Sequence, residues 1–555
     1  MSNAVDAASK TQARRRGPTL SRRDLGLGAA AGGVAIAGRA LGETAPPSSP
    51  SLSHPGYDAR FPAPGEKTAA DYPVSPMTER LAAYISGAGH RELPPLVIEQ
   101  TKWHILDTLA AIVAGSQLPA GRAGRAFLAG VGGKPVATVI GSTLKSDAIN
   151  AAMVNGTTGH GHEIDDTGGA SGPWHPGINV VSAALALGEQ FGTNGTGFLR
   201  SVALGYDIGG RVGTAAGLLR NFRTPTVSVC GIFGATAAAA CVARLSPEQT
   251  RFALSYTAQQ SSGIDSFRRD PDHIEKGFLN GGIGARGGVT SVLLVKAGFT
   301  AVHDIFEGPA NFFALFRAAG QTVQPELMIE GLGTRFDVLA AGFKRRPVAG
   351  AISAVLDSLE ALLERRTIDP RRIAKIVVRY EPNSVTDNGG PPDANMQHAV
   401  AMTLVDKRLS FQSIHDRSRF SDPLLVRLRS ITTIAPVTIY NQSGKYIDPS
   451  TPGRAAALGS KAPVIQLTMA DGEIISQGDV PSRGESSNPY TREWIVEKAS
   501  SLMTPVLGVR QTSLLVESVL NLEQLGNVRS LSALMSSAHG DTESRLSDWP
   551  LRTRS

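Results

Sequence analysis

The chain has 555 residues, 41% hydrophobic and 19% charged, with 61 glycines and only 6% aromatics; this is globular composition, with length for roughly two to four domains and small residues suited to close-packed helices. The formal charge of +7 owes much to Arg14, Arg15, Arg16, Arg22 and Arg23, and the absence of a basic strip interleaved with aromatics excludes a nucleic-acid partner. Two cysteines, Cys230 and Cys241, stand at no metal-ligand spacing, which excludes a disulfide framework or structural zinc and leaves two buried thiols.

In chain order, residues 1–42 read as an export signal. Ser21-Arg22-Arg23-Asp24-Leu25 precedes the weakly apolar run GLGAAAGGVAIAG, too short and glycine-rich to span a membrane. The paired arginines resemble a twin-arginine signal, which carries folded proteins and implies a periplasmic or secreted location. Residues 43–76, rich in Pro and Ser, form a linker. Apolar periodicity then predicts helices at Met77–Gly89, Pro94–Gly115, Ile178–Phe191, Thr196–Gly210 and Gly231–Leu245. Ser246-Pro247 marks a further helix start. From residue 331 the character changes: IAKIVVRYEP and ITTIAPVTIY are strand-like, DANMQHAVAMTLVD is helical, and APVIQLTMADGEIISQGD is a hairpin turning on Asp471-Gly472. The fold class expected is mainly α with α+β: a large helical domain (77–330), a smaller α+β lid domain (331–485), and a helical segment (486–555) returning to the first. No further segment looks membrane-spanning.

Four polar islands interrupt the apolar sequence, at 155–177, 221–228, 268–288 and 343–350. The first, NGTTGHGHEIDDTGGASGPWHPG, is glycine-rich and reads as loop. Charged groups cost several kcal/mol each to bury unpaired, so their placement between core segments marks a site. None of the islands is a phosphate loop or a nucleophile elbow. His160, His162 and Glu163 are proper metal ligands, and a metal-dependent hydrolase is one reading. The other is acid/base chemistry: histidines and carboxylates in one island, with Lys276, Arg286, Lys344, Arg345 and Arg346 in others. That set suits removal of a proton beside a carboxylate, with fixed cations holding the charge.

HILDTLAAIVAGS, NGTTGHGHEIDDT followed by HPG, GYDIGGRVG, GIFGATAAAA, the long IEKGFLNGGIGARGG segment and KRRP, in that order, resemble the MmgE/PrpD family. The family includes 2-methylcitrate dehydratase, cis-aconitate decarboxylase and an iminodisuccinate epimerase. The resemblance implies a cofactor-free, metal-free lyase site between two domains, a small carboxylate substrate and a homodimer. It places family functional residues at Glu163, Asp165, Thr167, His175, Lys276 and Lys344. His175, Glu163, Lys276, Lys344 and His398 are expected to be catalytic. Thr167, Asp165, Arg223, Arg286 and Arg345 are expected to bind substrate. Glu163 replaces the usual Asp, Arg223 stands where a histidine is usual, His398 replaces a Tyr, and Ala349 stands where some members have His. The reaction expected is dehydration of a hydroxy di- or tricarboxylate. Decarboxylation, epimerisation and a non-catalytic carboxylate-binding role are the alternatives.

Overall fold

Apolar residues at helical spacing need a shared surface to bury, and between residues 76 and 318 they find it in one another. The computed structural model describes residues 73–168, 174–217, 226–318, 320, 322–380, 384–435, 463–478, 480 and 490–537. The expected export signal, nearly all of the linker, and Arg223 lie outside them. The helices are α1 (Pro76–Gly87), α2 (Pro95–Gly115), α3 (Pro119–Val131), α4 (Ala148–His160), α5 (Pro176–Phe191), α6 (Gly195–Ala215), α7 (Thr226–Val242), α8 (Pro247–Gln260), α9 (Ile274–Gly277), α10 (Ile283–Lys296) and α11 (Phe312–Ala318). α5 is buried on every side from Pro176 to Glu189, as a helix apolar all round must be. α7, rich in small side chains, packs against α5, α6 and α10. Ser246 caps α8 with Gln249 in a reciprocal capping box.

A second hydrophobic core forms between residues 348 and 475 and is separate from the first. A short antiparallel pair, β1 (Ala137–Thr138) and β2 (Lys145–Ser146), precedes α4; the four-stranded sheet of the second core has the order β4-β3-β5-β6, with β3 (Ile373–Arg379), β4 (Thr432–Ala435), β5 (Pro463–Met469) and β6 (Ile474–Gly478). β3 pairs parallel with β4 and antiparallel with β5, and β5–β6 is the expected hairpin, Gly472 taking φ +89° at its turn. α12 (Gly350–Arg365) packs on β5, β6 and α13 (Met396–Asp406). The helix Arg492–Leu507 leaves this core and joins the first, burying Ile495, Ala499, Leu502 and Met503. Cys230 and Cys241 are free and buried, and burial pushes both thiols up to about 12.

The island expected to be loop is partly helical, and so is the polar island at 268–288. Asn155–His160 completes α4. Ile274–Lys296 is helical throughout, with one π turn at Phe278–Gly282 between α9 and α10. The reason is that glycines here serve close contact and not turning. A Cβ on Gly281 would lie 2.2 Å from the Gly156 carbonyl oxygen, and one on Gly156 2.7 Å from that of Gly281. Backbones that touch leave no room for a methyl, and this crossing brings the two islands together. By length and composition Ile274–Lys296 could cross a membrane, yet 67% of its apolar window is buried, as in an interior helix.

The crossing predicts that Gly281→Ala destabilises the protein by about 1–3 kcal/mol through overpacking, seen as a lower midpoint in thermal or urea unfolding. An unchanged midpoint would show that the crossing tolerates a methyl.

Candidate active site

α4 ends at His160, and Glu163 follows in the left-handed region, with φ +58°. A residue with a side chain holds that conformation at a cost of order 1–3 kcal/mol, and only where its surroundings enforce it. Here two cations do so. The Glu163 carboxylate, 3% exposed, pairs through Oε1 with Lys276 Nζ and through Oε2 with Lys344 Nζ at 2.7 Å. Lys276 arrives on α9. Its backbone N–H donates to Asp270 Oδ2 at 2.9 Å. Lys344 arrives from the entry to the second core. Thr167 and Gly342 exchange backbone hydrogen bonds, each 2.9 Å, in an isolated antiparallel bridge. That bridge lays the Lys344 segment beside the loop, so the contact seen for Thr167 is a backbone one.

Asp165, fully buried, is shared. Its Oδ2 lies 2.9 Å from His160 Nδ1 and 3.0 Å from His175 Nδ1, and its Oδ1 accepts from Lys344 Nζ at 3.2 Å. Asp166 turns the other way. Its Oδ1 accepts from the Gly177 N–H at the start of α5 (2.9 Å), and its Oδ2 from the Tyr206 hydroxyl (2.5 Å), with His104 Nδ1 at 2.8 Å. A carboxylate at a helix N-terminus meets free N–H groups and the positive end of the dipole. The Asp166 carbonyl oxygen accepts from His175 Nδ1 at 2.9 Å. A carbonyl can only accept, so Nδ1 carries the hydrogen and Nε2 keeps the basic lone pair. His175 and Lys276 are each 15% exposed at the side chain, against 0% for Asp165 and 5% for Lys344. They are the members of the cluster that solvent reaches most.

The electrostatics follow from burial. Burial drives the His160 imidazole well below its ordinary value, against the pull of Asp165. Burial alone would raise Asp165, but His160, the Lys344 ammonium and His175 hold it well below the carboxylate range; His160 contributes as a neutral N–H donor. Burial and then the like charge of Lys344 take the Lys276 ammonium down to about 7, with only Asp393 opposing them. The Glu163 contact is a further pull toward the charged form.

The structure thus brings Glu163, Asp165, Thr167, His175, Lys276 and Lys344 together from three segments. Other expected residues stand elsewhere. His398 is fully buried, its ring 4.8 Å from that of Phe420 and both ring nitrogens without a hydrogen-bond partner. Burial, with Arg429 and Arg419 nearby, lowers it to about 4. Arg345 pairs with Asp357 and Glu360 of α12. Arg286 lies over the Phe278 ring, 5.7 Å from its centroid. The three groups of the metal reading do not converge: His162 Nε2 faces the Ala111 carbonyl at 2.8 Å and its ring meets Phe411 and His415, while Glu163 faces lysines. His104 is fully buried and stacks on Phe343 at 4.1 Å. Sequence reasoning passed over Asn280, whose Nδ2 lies 2.6 Å from His160 Nε2. It also missed His273, whose Nδ1 lies 3.0 Å from Asp393 Oδ2 across the two cores. The signal for His273 was its place three residues before Lys276; an asparagine among glycines carries none.

Comparison with known proteins gives matches along most of the chain. The MmgE/PrpD N-terminal domain matches residues 79–324 and the MmgE/PrpD C-terminal domain residues 347–524. A cis-aconitate decarboxylase-like protein of Aspergillus oryzae, oryM, is 24% identical, covering 84% of this chain and 98% of its own length. Human cis-aconitate decarboxylase is 24% identical over 83% of this chain and 94% of its own length. That of Aspergillus terreus is 23% identical over 83% and 96%.

Removing one partner from a buried ion cluster strands the others, so Lys344→Met is expected to cost about 3–5 kcal/mol at neutral pH. Asp165 has its folded pKa below its unfolded one, so its stabilisation exists above the unfolded value and disappears as pH falls through the folded value. The deficit of the variant should therefore be largest near neutrality and shrink below about pH 4, as read by urea unfolding across that range.

Proposed function

Because the chain belongs to the MmgE/PrpD family, we propose that it is a cofactor-independent lyase acting on a small unsaturated di- or tricarboxylate, with decarboxylation of cis-aconitate as the reaction. The observation that carries this reading is the pairing of His175, whose Nδ1 is held by Asp165 and Asp166 so that Nε2 is the basic nitrogen, with two lysines that share Glu163. The relatives named as cis-aconitate decarboxylases favour loss of carbon dioxide over the dehydration expected from the residues alone. Twin-arginine export to a periplasmic or secreted location and a homodimer belong to the same proposal, the former on the strength of Ser21-Arg22-Arg23.

The chemistry runs as follows. Substrate carboxylates compete with Glu163 for Lys276 and Lys344. The carbon–carboxylate bond breaks and its electron pair forms a new C=C bond. The electrons of the old double bond take a proton at its far carbon. One proton is consumed and one carbon dioxide leaves. His175 as imidazolium supplies the proton from Nε2, and Asp165 stabilises that cation. The lysines hold the remaining carboxylates while charge redistributes between them.

The test is incubation of the purified protein with cis-aconitate, following carbon dioxide release and the five-carbon product by NMR. His175→Gln should lower kcat by roughly 10²–10⁴. A proton donor is lost as pH rises, so kcat/KM should fall toward alkaline pH. A rise with pH instead, with water lost from hydroxy acids, would transfer the function to dehydration. No turnover of either substrate class would sink the lyase reading.

A further inference from the structure

His160 is buried between two polar groups. On one side Asp165 Oδ2 lies 2.9 Å from Nδ1; on the other Asn280 Nδ2 lies 2.6 Å from Nε2. A carboxylate can only accept, so the hydrogen of this neutral ring sits on Nδ1 and Nε2 offers a lone pair. The orientation of the Asn280 amide follows from this network: Nδ2 must be the atom facing the ring. Asn280 Oδ1 has no hydrogen-bond partner, so no contact of that oxygen sets the orientation.

The backbone places this donor deliberately. Asn280 is 2% exposed and sits in the π turn Phe278–Gly282, four residues after Lys276. Such single turns are rare and frequent at functional sites. The turn is clamped through Asn179, whose Nδ2 donates to the Asn280 carbonyl at 2.7 Å and to the His175 carbonyl at 2.8 Å. One side chain therefore ties the π turn to the backbone of the proposed acid.

We propose that Asn280 is a positioning residue that holds His160 as the Nδ1–H tautomer, so that Asp165 keeps a full negative charge facing His175. Were His160 a cation, it would neutralise Asp165 and repel a second imidazolium, since the His160 and His175 ring centroids are 4.2 Å apart. Lys344 faces Asp165 and Lys276 lies near His160, so a cation at His160 would add to two already there. The catalytic consequence rests on the proposed lyase function; the tautomer does not.

Long-range ¹H–¹⁵N correlation of the histidine-labelled full chain reads the tautomer without substrate. Wild-type protein should show His160 protonated at Nδ1 and bare at Nε2. A proton on Nε2 would overturn the proposal whatever the activity. Asn280→Asp replaces the donor by an acceptor and favours a doubly protonated His160. On cis-aconitate the pH at which its kcat/KM falls should differ from that of wild type, because an imidazolium and a carboxylate replace two neutral groups beside Asp165, with KM less affected than kcat. A profile superimposable on wild type would overturn the positioning role. If the variant does not fold, Asn280→Leu, which removes the donor without adding a charge, takes its place: a His160 correlation unchanged from wild type would overturn the positioning role. If cis-aconitate is not turned over by wild type, the proposed reaction fails and the tautomer result still stands.

Discussion

One carboxylate between two lysines is the contact on which the site depends. Glu163 comes from the loop after α4, Lys276 from α9, and Lys344 from the chain entering the second core. None of these charges could be buried alone without a penalty of several kcal/mol. Their mutual compensation lets a polar cluster exist beneath two hydrophobic cores, and it makes the left-handed Glu163 backbone sustainable. The extra methylene of Glu over Asp lengthens the reach of that carboxylate to both ammonium groups.

The two neighbouring aspartates divide the remaining work. Asp165 spreads its charge over His160, His175 and Lys344. Asp166 caps α5 and anchors to Tyr206 and His104 deep in the helical core. The loop is therefore rooted in the rigid part of the molecule. Lys498, on the returning C-terminal helix, adds a hydrogen bond to the Ile164 carbonyl at 2.9 Å and an ion pair with Asp107 at 2.6 Å. Segments far apart in sequence thus converge on the backbone between Glu163 and Asp165.

Legibility varied with how local the cause was. The capped start of α8, the α5 helix and the Asp471-Gly472 hairpin follow from neighbouring residues, and they stand where the pattern put them. The polar islands identified Glu163, Asp165, His175, Lys276 and Lys344 because charged residues amid apolar sequence need partners. The glycine-rich character of 155–160 misled, since glycine permits a turn and also a close helix crossing, and only the neighbour decides which. His398 matched a position by resemblance, yet its ring lies against Phe420 within the second core.

Sequence alone determined the mainly helical character with a smaller mixed part and the residues able to do acid/base chemistry, because periodicity and composition act over a few residues at a time. Tertiary structure decided which lysine meets which carboxylate, which nitrogen of His175 is free, and that Asn280 faces His160. The lysine and Asn280 contacts, at 2.6–3.2 Å, join segments more than a hundred residues apart, and the His175 contacts depend on how the loop from Asp165 closes on itself; no local pattern encodes either.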